Sequence, residues 1–354
     1  MADRKLFPTS VVGSMPRSDF VKDLIAGEPP LAPEAYRRAM QAAIRYVVAV
    51  QENAGLDVVT DGEWWRKSYI GVIAELAHGF ELSQTPDGRP WTVVVSPLAP
   101  KHPGFIAQEV SFLKTVTTRQ IKATLPAPAL LGERMWDPEK SAKAYPRRED
   151  FIRACVPVLR RELELLRQEG ADVVQIDDPH LCLFVDPEVR AKYPDPEAAA
   201  DFAVEMVNQV VDGISGIKLA VHLCRRAGAR ARGEASHRGG YDPILQPLNR
   251  LKVHHLTMEF TSPAAGDMSV FKKLRQDFEI GLGCLSVTPG LIDTPETIVA
   301  RVTKALDFLP PERITLNPDC GFAPGSGAVV GIDEAYGKLK NEVAAAEILR
   351  ARYG

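Results

Sequence analysis

Eight short runs of apolar, largely β-branched residues recur along this chain, each ending in Gly, Pro or polar residues. They fall at 10–14 (SVVGS), 56–63 (LDVVTDGE), 121–128 (IKATLPAP), 171–179 (ADVVQIDDP), 217–224 (IKLAVHLC), 254–260 (HHLTMEF), 279–284 (EIGLGC) and 313–320 (RITLNPDC). Continuous runs of this kind suit parallel strands covered on both faces. Helical patterns fill the intervals at about 33–54, 67–79, 148–169, 194–214, 241–250, 267–276, 295–308 and 332–351. In 148–169 the apolar residues Phe151, Cys155, Leu159, Leu163 and Leu166 keep spacings of three and four, Gly170 supplies a stop, and Pro157 predicts a kink or a later start. Eight strands alternating with eight helices predict one (β/α)8 TIM barrel over residues 1–354, with a doubly wound open sheet as the competing architecture. The length beyond an ordinary barrel falls at about 81–120, where 81–98 followed by 106–125 reads as a β-hairpin inserted between strands two and three.

A barrel gathers its chemistry at the C-terminal ends of its strands. Those ends here are Gly13-Ser14, Asp61-Gly62-Glu63, Asp177-Asp178, His222 with Cys224, Glu259, Cys284 and Cys320. His222 and Cys224 are separated by one residue, so on a strand both side chains project to the same face. An imidazole and two thiolates suit Zn²⁺, with a fourth position for substrate, water or a displaceable carboxylate. An isolated H-x-C is also compatible with cysteines that are merely buried core residues. A zinc so held carries little net charge, and it suits the activation of a substrate thiol as thiolate, hence alkyl transfer to sulfur.

Bulk properties narrow the partners. A formal net charge of -3 provides no basic field for nucleic acid. No run of eighteen apolar residues forms a membrane span, and MADRKLFPTS lacks the apolar stretch of a secretory signal. Five scattered cysteines, at 155, 182, 224, 284 and 320, fit reduced thiols in the cytoplasm better than a disulfide framework. A homo-oligomer stays open.

The ordered set VGSMPR (12–17), DGEWWR (61–66), QIDDP (175–179), HLC (222–224), EF (259–260) and NPDCG (317–321) resembles the catalytic barrel of the cobalamin-independent methionine synthase family. Its superfamily includes zinc-dependent coenzyme M alkyltransferases and the metal-free uroporphyrinogen decarboxylases. The resemblance implies Zn²⁺ on His222, Cys224 and Cys320, with Glu259 as the ligand that loosens when a thiol arrives. It further implies Gly13 and Ser14 on the carboxylate of an amino-acid substrate, and Glu63 and Asp177 on its ammonium group. Backbone and hydroxyl donors for an anion, and two carboxylates for one cation, make that division physically sensible. Turn chemistry is the plainer reading of Asp61 and Glu63. His180, next to the acidic pair, is a candidate general acid or base beside Asp177 and Glu259.

Family members with a second, N-terminal barrel use it to embrace a polyglutamylated folate; with one barrel's worth of motifs here, the alkyl donor stays open between a methyl-folate, a methyl-corrinoid and an epoxide. The segment 225–241 also departs from the family, with five arginines and one histidine. It reads either as a solvated loop or as an anion clamp in which Arg225 and Arg226 grip a carboxylate, sulfonate or phosphate, with Gly239 and Gly240 as hinge. The leading expectation is methyl transfer to homocysteine. An anionic thiol such as coenzyme M is the alternative; a decarboxylase-like or non-catalytic barrel is more remote.

Overall fold

The computed structural model describes residues 5–27, 30–84, 90–225, 238–323 and 330–354. Among these residues nine strands form, in chain order β1 (Val58–Val59), β2 (Ala77–Gln84), β3 (Pro90–Pro100), β4 (Gln120–Pro126), β5 (Val173–Asp177), β6 (Lys218–Leu223), β7 (His255–Glu259), β8 (Glu279–Leu285) and β9 (Ile314–Pro318). Seven form one parallel sheet in the order β1-β4-β5-β6-β7-β8-β9. All five residues of β5 and of β7 are buried, as strands covered on both faces must be. The sheet curls until its outer strands are linked through one short segment: Thr9 bridges Leu316 of β9 and Ser10 bridges Val58 of β1.

That segment replaces the expected first strand at 10–14. Only two single bridges form, and side chains supply most of its remaining partners. The Ser10 amide donates to both the Leu316 carbonyl and Glu342 Oε1, each at 3.1 Å. Asp57 Oδ2 accepts from the Thr9 amide, Lys122 donates to the Val11 carbonyl, Gln175 Nε2 to the Val12 carbonyl and Thr60 Oγ1 to the Gly13 carbonyl. Buried backbone groups need partners, and a strand without a ladder must find them elsewhere.

The long helices match their apolar periodicity. Pro33–Ala54 opens with a proline and closes at Gly55, whose φ of 98° is the left-handed conformation glycine tolerates. Arg148–Gln168 runs unbroken through Pro157, and Pro196–Val211, Pro295–Leu306 and Ile332–Tyr353 complete the cover. Three expected helices are reduced. In place of 67–79 the chain turns until a single helical turn at Ile73–Leu76, then enters β2. In 241–250, Pro243 and Pro247 leave a 3-10 turn at Asp242–Ile244 and one helical turn at Leu245–Leu248. In 267–276, the Asp267 side chain accepts from the Ser269 amide and a 3-10 segment, Met268–Lys273, follows. Within the expected insertion, β2 and β3 pair antiparallel, while 106–120 holds the helix Ala107–Leu113 rather than a strand.

Glu342 lies on the C-terminal helix and is fully buried, which pushes its pKa well above the ordinary value. Its link to the Ser10 amide should matter more than its charge. Glu342→Leu is expected to cost about 1–3 kcal/mol in urea unfolding through the lost acceptor, whereas Glu342→Gln should stay within about 1 kcal/mol. Equal losses in the two variants would show that the acceptor is not what counts.

Candidate functional site

Strand register assembles the site. Asp177 ends β5 directly beside His222 of β6, Glu259 ends β7, and Cys320 follows β9. One ligand atom each from His222, Cys224, Glu259 and Cys320 lies within 4.8 Å of all the others, and the two thiols are 3.4 Å apart. His222 Nδ1 faces Asp177 Oδ1 at 3.2 Å, while its buried Nε2 has no hydrogen-bond partner among the described residues. Burial alone would lower the His222 pKa, but the hydrogen bond and charge of Asp177, with Cys320 and Glu259, raise it. The cluster therefore favours a cation among its donor atoms.

Glu259 Oε1 accepts from the Arg225 amide at 2.6 Å. Tyr241 braces the same residue, its hydroxyl accepting from the Glu259 amide at 3.1 Å and donating to the Glu259 carbonyl at 3.3 Å. Asp319 ties β7 to β9, accepting from the Phe260 and Thr261 amides one residue before Cys320.

A narrow cleft opens over His222, Cys224 and Cys320. Gly13, Ser14, Glu63 and Asp177 line it as well. A Cβ on Gly13 would sit 2.8 Å from Glu63 Oε1 and 3.1 Å from Thr124 Cγ2, so a side chain there would displace the Glu63 carboxylate. Ser14 Oγ accepts from the Ala323 amide at 3.1 Å, so its own hydrogen remains available to a ligand. Glu63 holds a left-handed φ of 59°, unusual for a residue with a side chain. Its Oε1 accepts from Thr124 Oγ1, which in turn accepts from Arg66, and Arg66 is locked by a buried two-point pairing with Glu109 at 2.6 and 2.7 Å. Arg17 fastens the outside of the turn through the Glu63 carbonyl at 2.8 Å. Burial raises the Glu63 pKa, Arg66 opposes the rise and Asp177 adds to it. Asp61 follows the plainer reading, its Oδ1 accepting from the Glu63 amide.

Tyr69 also lines the cleft, and sequence reasoning missed it. A helix from 67 would have hidden it; the observed turn delivers its ring to the thiols. Burial, then Cys224, Asp177 and Cys320, push its hydroxyl pKa up, so it stays a neutral donor.

Other expectations change. Arg225, expected in an anion clamp, is buried; its guanidinium donates to the Ala264 carbonyl at 2.6 Å and lies 5.4 Å from the centre of the Tyr241 ring. Arg226 lies outside the described residues. Gly239 packs against Val185, whose carbonyl a Cβ there would meet at 2.4 Å. His180 does not line the cleft but packs its ring against Phe184 and Tyr193. Cys284 is buried with its thiol near the Asn317 carbonyl, and Trp64 donates to the Met15 carbonyl. His255, at the start of β7, is buried within the sheet and bonded to Thr315, the structural role that its place at a strand start implies.

Burial, helped by Arg148, depresses the His180 pKa from 6.5 to about 4. A depressed histidine pKa favours folding above the unfolded value and loses that contribution as pH falls through the folded one. The wild type should lose about 3 kcal/mol between pH 6.5 and pH 4 from this group, a loss absent in His180→Phe. Urea midpoints across that range test it, and parallel curves for the two proteins would refute it.

Residues 7–348 match the family model described as the catalytic domain of cobalamin-independent synthase. A methionine synthase of Pyrococcus horikoshii is 28% identical, covering 98% of this chain and 93% of that protein. One from Saccharolobus solfataricus is 27% identical over 99% and 97%. Among solved structures, a B12-independent methionine synthase from Shewanella sp. W3-18-1, in complex with selenomethionine, superposes with a TM-score of 0.79 at 22% identity, covering 98% of each chain. A methyltransferase from Methanosarcina mazei gives 0.61 at 16% identity over 98% and 95%.

Proposed function

The chain belongs to the family of cobalamin-independent synthase catalytic domains, and from that premise we propose that it is a zinc-dependent methyltransferase making methionine from homocysteine. The observation carrying this reading is the convergence of His222, Cys224, Glu259 and Cys320 beneath a cleft walled by Gly13, Ser14, Glu63 and Asp177. We read the 354 residues as one such domain, a barrel closed through residues 9 and 10, acting in the cytoplasm. Among the described residues no helix is long and apolar enough to cross a membrane.

The residues fit zinc: one imidazole nitrogen lacking a partner, two adjacent thiols and a carboxylate are a borderline-soft donor set. When bound, zinc lowers the pKa of a substrate thiol so that it is held as thiolate near neutral pH. The chain's own groups do the rest. Glu63 and Asp177 present two carboxylates to one side of the cleft, and an ammonium between them relieves their repulsion. The free hydrogen of Ser14, beside glycine backbone, receives the substrate carboxylate. With both ends of an amino acid fixed, its side-chain sulfur is directed toward the thiols. The neutral Tyr69 hydroxyl covers the same space and excludes water.

The donor fits a methyl-folate, a methyl-corrinoid or, for another thiol, an epoxide. Reading the acceptor as a sulfonate such as coenzyme M rested on Arg225 and Arg226. With Arg225 committed to Ala264 and Tyr241, homocysteine is the better acceptor.

Purified protein is expected to carry stoichiometric zinc by elemental analysis, and Cys320→Ala should lose most of it. Thiol consumption should occur with homocysteine and not with coenzyme M when methyl-folate and methylcobalamin are offered as donors. Glu63→Gln should raise KM for homocysteine about 10- to 100-fold, the loss of one charge-assisted contact of roughly 1.5–3 kcal/mol. A zinc-free wild type, or a preference for coenzyme M, would sink the reading.

A further inference from the structure

Gln175 lies two residues before Asp177 on β5, on the same face of the sheet. Its buried amide uses both ends. Nε2 donates to Asp177 Oδ1 at 2.8 Å and to the Val12 carbonyl at 3.1 Å, while Oε1 accepts from Thr257 Oγ1 at 3.3 Å. Gln175 therefore joins three parts of the site. Val12 immediately precedes the Gly13-Ser14 wall, Asp177 carries His222, and Thr257 is the register partner of His222 on the next strand.

Small residues make this reach possible. Ala220 of β6 pairs with both Gln175 and His255, so the amide passes over a methyl group to meet Thr257 on β7. Gly281 of β8 leaves similar room, since a Cβ there would sit 2.5 Å from His255 Cε1 and 2.6 Å from Asn317 Oδ1. The result is a continuous polar column, Thr315–His255–Thr257–Gln175–Asp177–His222, through an otherwise apolar sheet. A buried amide with each of its polar atoms engaged is rotationally fixed.

We infer that Gln175 is a positioning residue for the metal-binding histidine, acting through Asp177. By donating to Oδ1 it fixes the carboxylate orientation that receives His222 Nδ1–H. With Nδ1 holding the ring hydrogen, Nε2 is left as the lone-pair nitrogen among the thiols. The same amide anchors Val12, which sets the substrate wall relative to the metal cluster. Asp177 thus serves two partners, the substrate ammonium and His222, and Gln175 keeps it in a position that satisfies both.

This inference rests on the zinc reading above, and the test separates the two. Gln175→Leu removes every polar contact at similar volume. Zinc release from the full chain to a chromogenic chelator should accelerate roughly 10- to 100-fold, the usual effect of losing an outer partner of a metal ligand. Val207→Ala, a cavity in the outer helix Pro196–Val211, controls for general destabilisation and should release zinc at the wild-type rate. In ¹⁵N-histidine-labelled, zinc-stripped protein, the His222 ring should carry its hydrogen on Nδ1 in the wild type and divide it between the two nitrogens in Gln175→Leu. A folded Gln175→Leu protein with wild-type zinc release overturns the inference. If the wild type binds no zinc the functional reading fails by itself, and the nitrogen spectra decide this one: an unchanged His222 ring overturns it. Should Gln175→Leu fail to fold, Thr257→Val removes only the contact to Oε1 and should give a smaller change in the same direction; no change in either readout overturns the inference.

Discussion

The polar seam at residues 9–14 is the constraint on which the rest of the molecule turns. A seven-stranded parallel sheet curls until its first and last strands lie either side of one irregular segment, and that segment lacks a full ladder. Its backbone is satisfied by Asp57, Thr60, Lys122, Gln175 and Glu342, drawn from strands, a loop and the C-terminal helix. Leaving such groups unpaired would cost about 1–3 kcal/mol each, so the buried polar side chains here are structural necessities before they are chemical ones. The same segment then runs into Gly13 and Ser14, so whatever closes the sheet also sets one wall of the cleft.

Two rigid brackets complete that cleft. On one side the buried Arg66–Glu109 pair holds Thr124, and through it the strained Glu63. On the other, Tyr241, Asp319 and the Arg225 amide fix the strand ends that carry Glu259 and Cys320. Charged groups are expensive to bury, and these are tolerated because each is hydrogen-bonded into a network. The reactive groups accordingly sit on fixed supports before any ligand arrives.

Much of this was legible in the sequence because strands impose a period of two and barrels collect chemistry at strand ends. Those rules brought His222, Cys224, Glu259 and Cys320 to one place from three runs spread over about a hundred residues. They failed where a loop or a packing choice decided the outcome. The pattern at 67–79 resembled a helix, and only the observed turn explains why Tyr69 meets the thiols. Arg225 looked like part of a solvated basic run because its partners, Tyr241 and Ala264, are brought to it by the fold. His180 followed an acidic pair in sequence, yet the proline before it lines the cleft while its own ring packs on aromatics. The missing strand at 10–14 was equally hidden, because its partners are side chains up to 332 positions away.

That last separation bears on how the molecule is made. Residues 10–12 leave the ribosome before their partners at Lys122, Gln175 and Glu342, which lie 111, 163 and 332 residues further on. Contacts so distant in sequence form late and slowly. The cleft wall at Gly13 and Ser14 is therefore among the last parts of the protein to become ordered, and a nascent chain that has not reached Glu342 has no finished cleft.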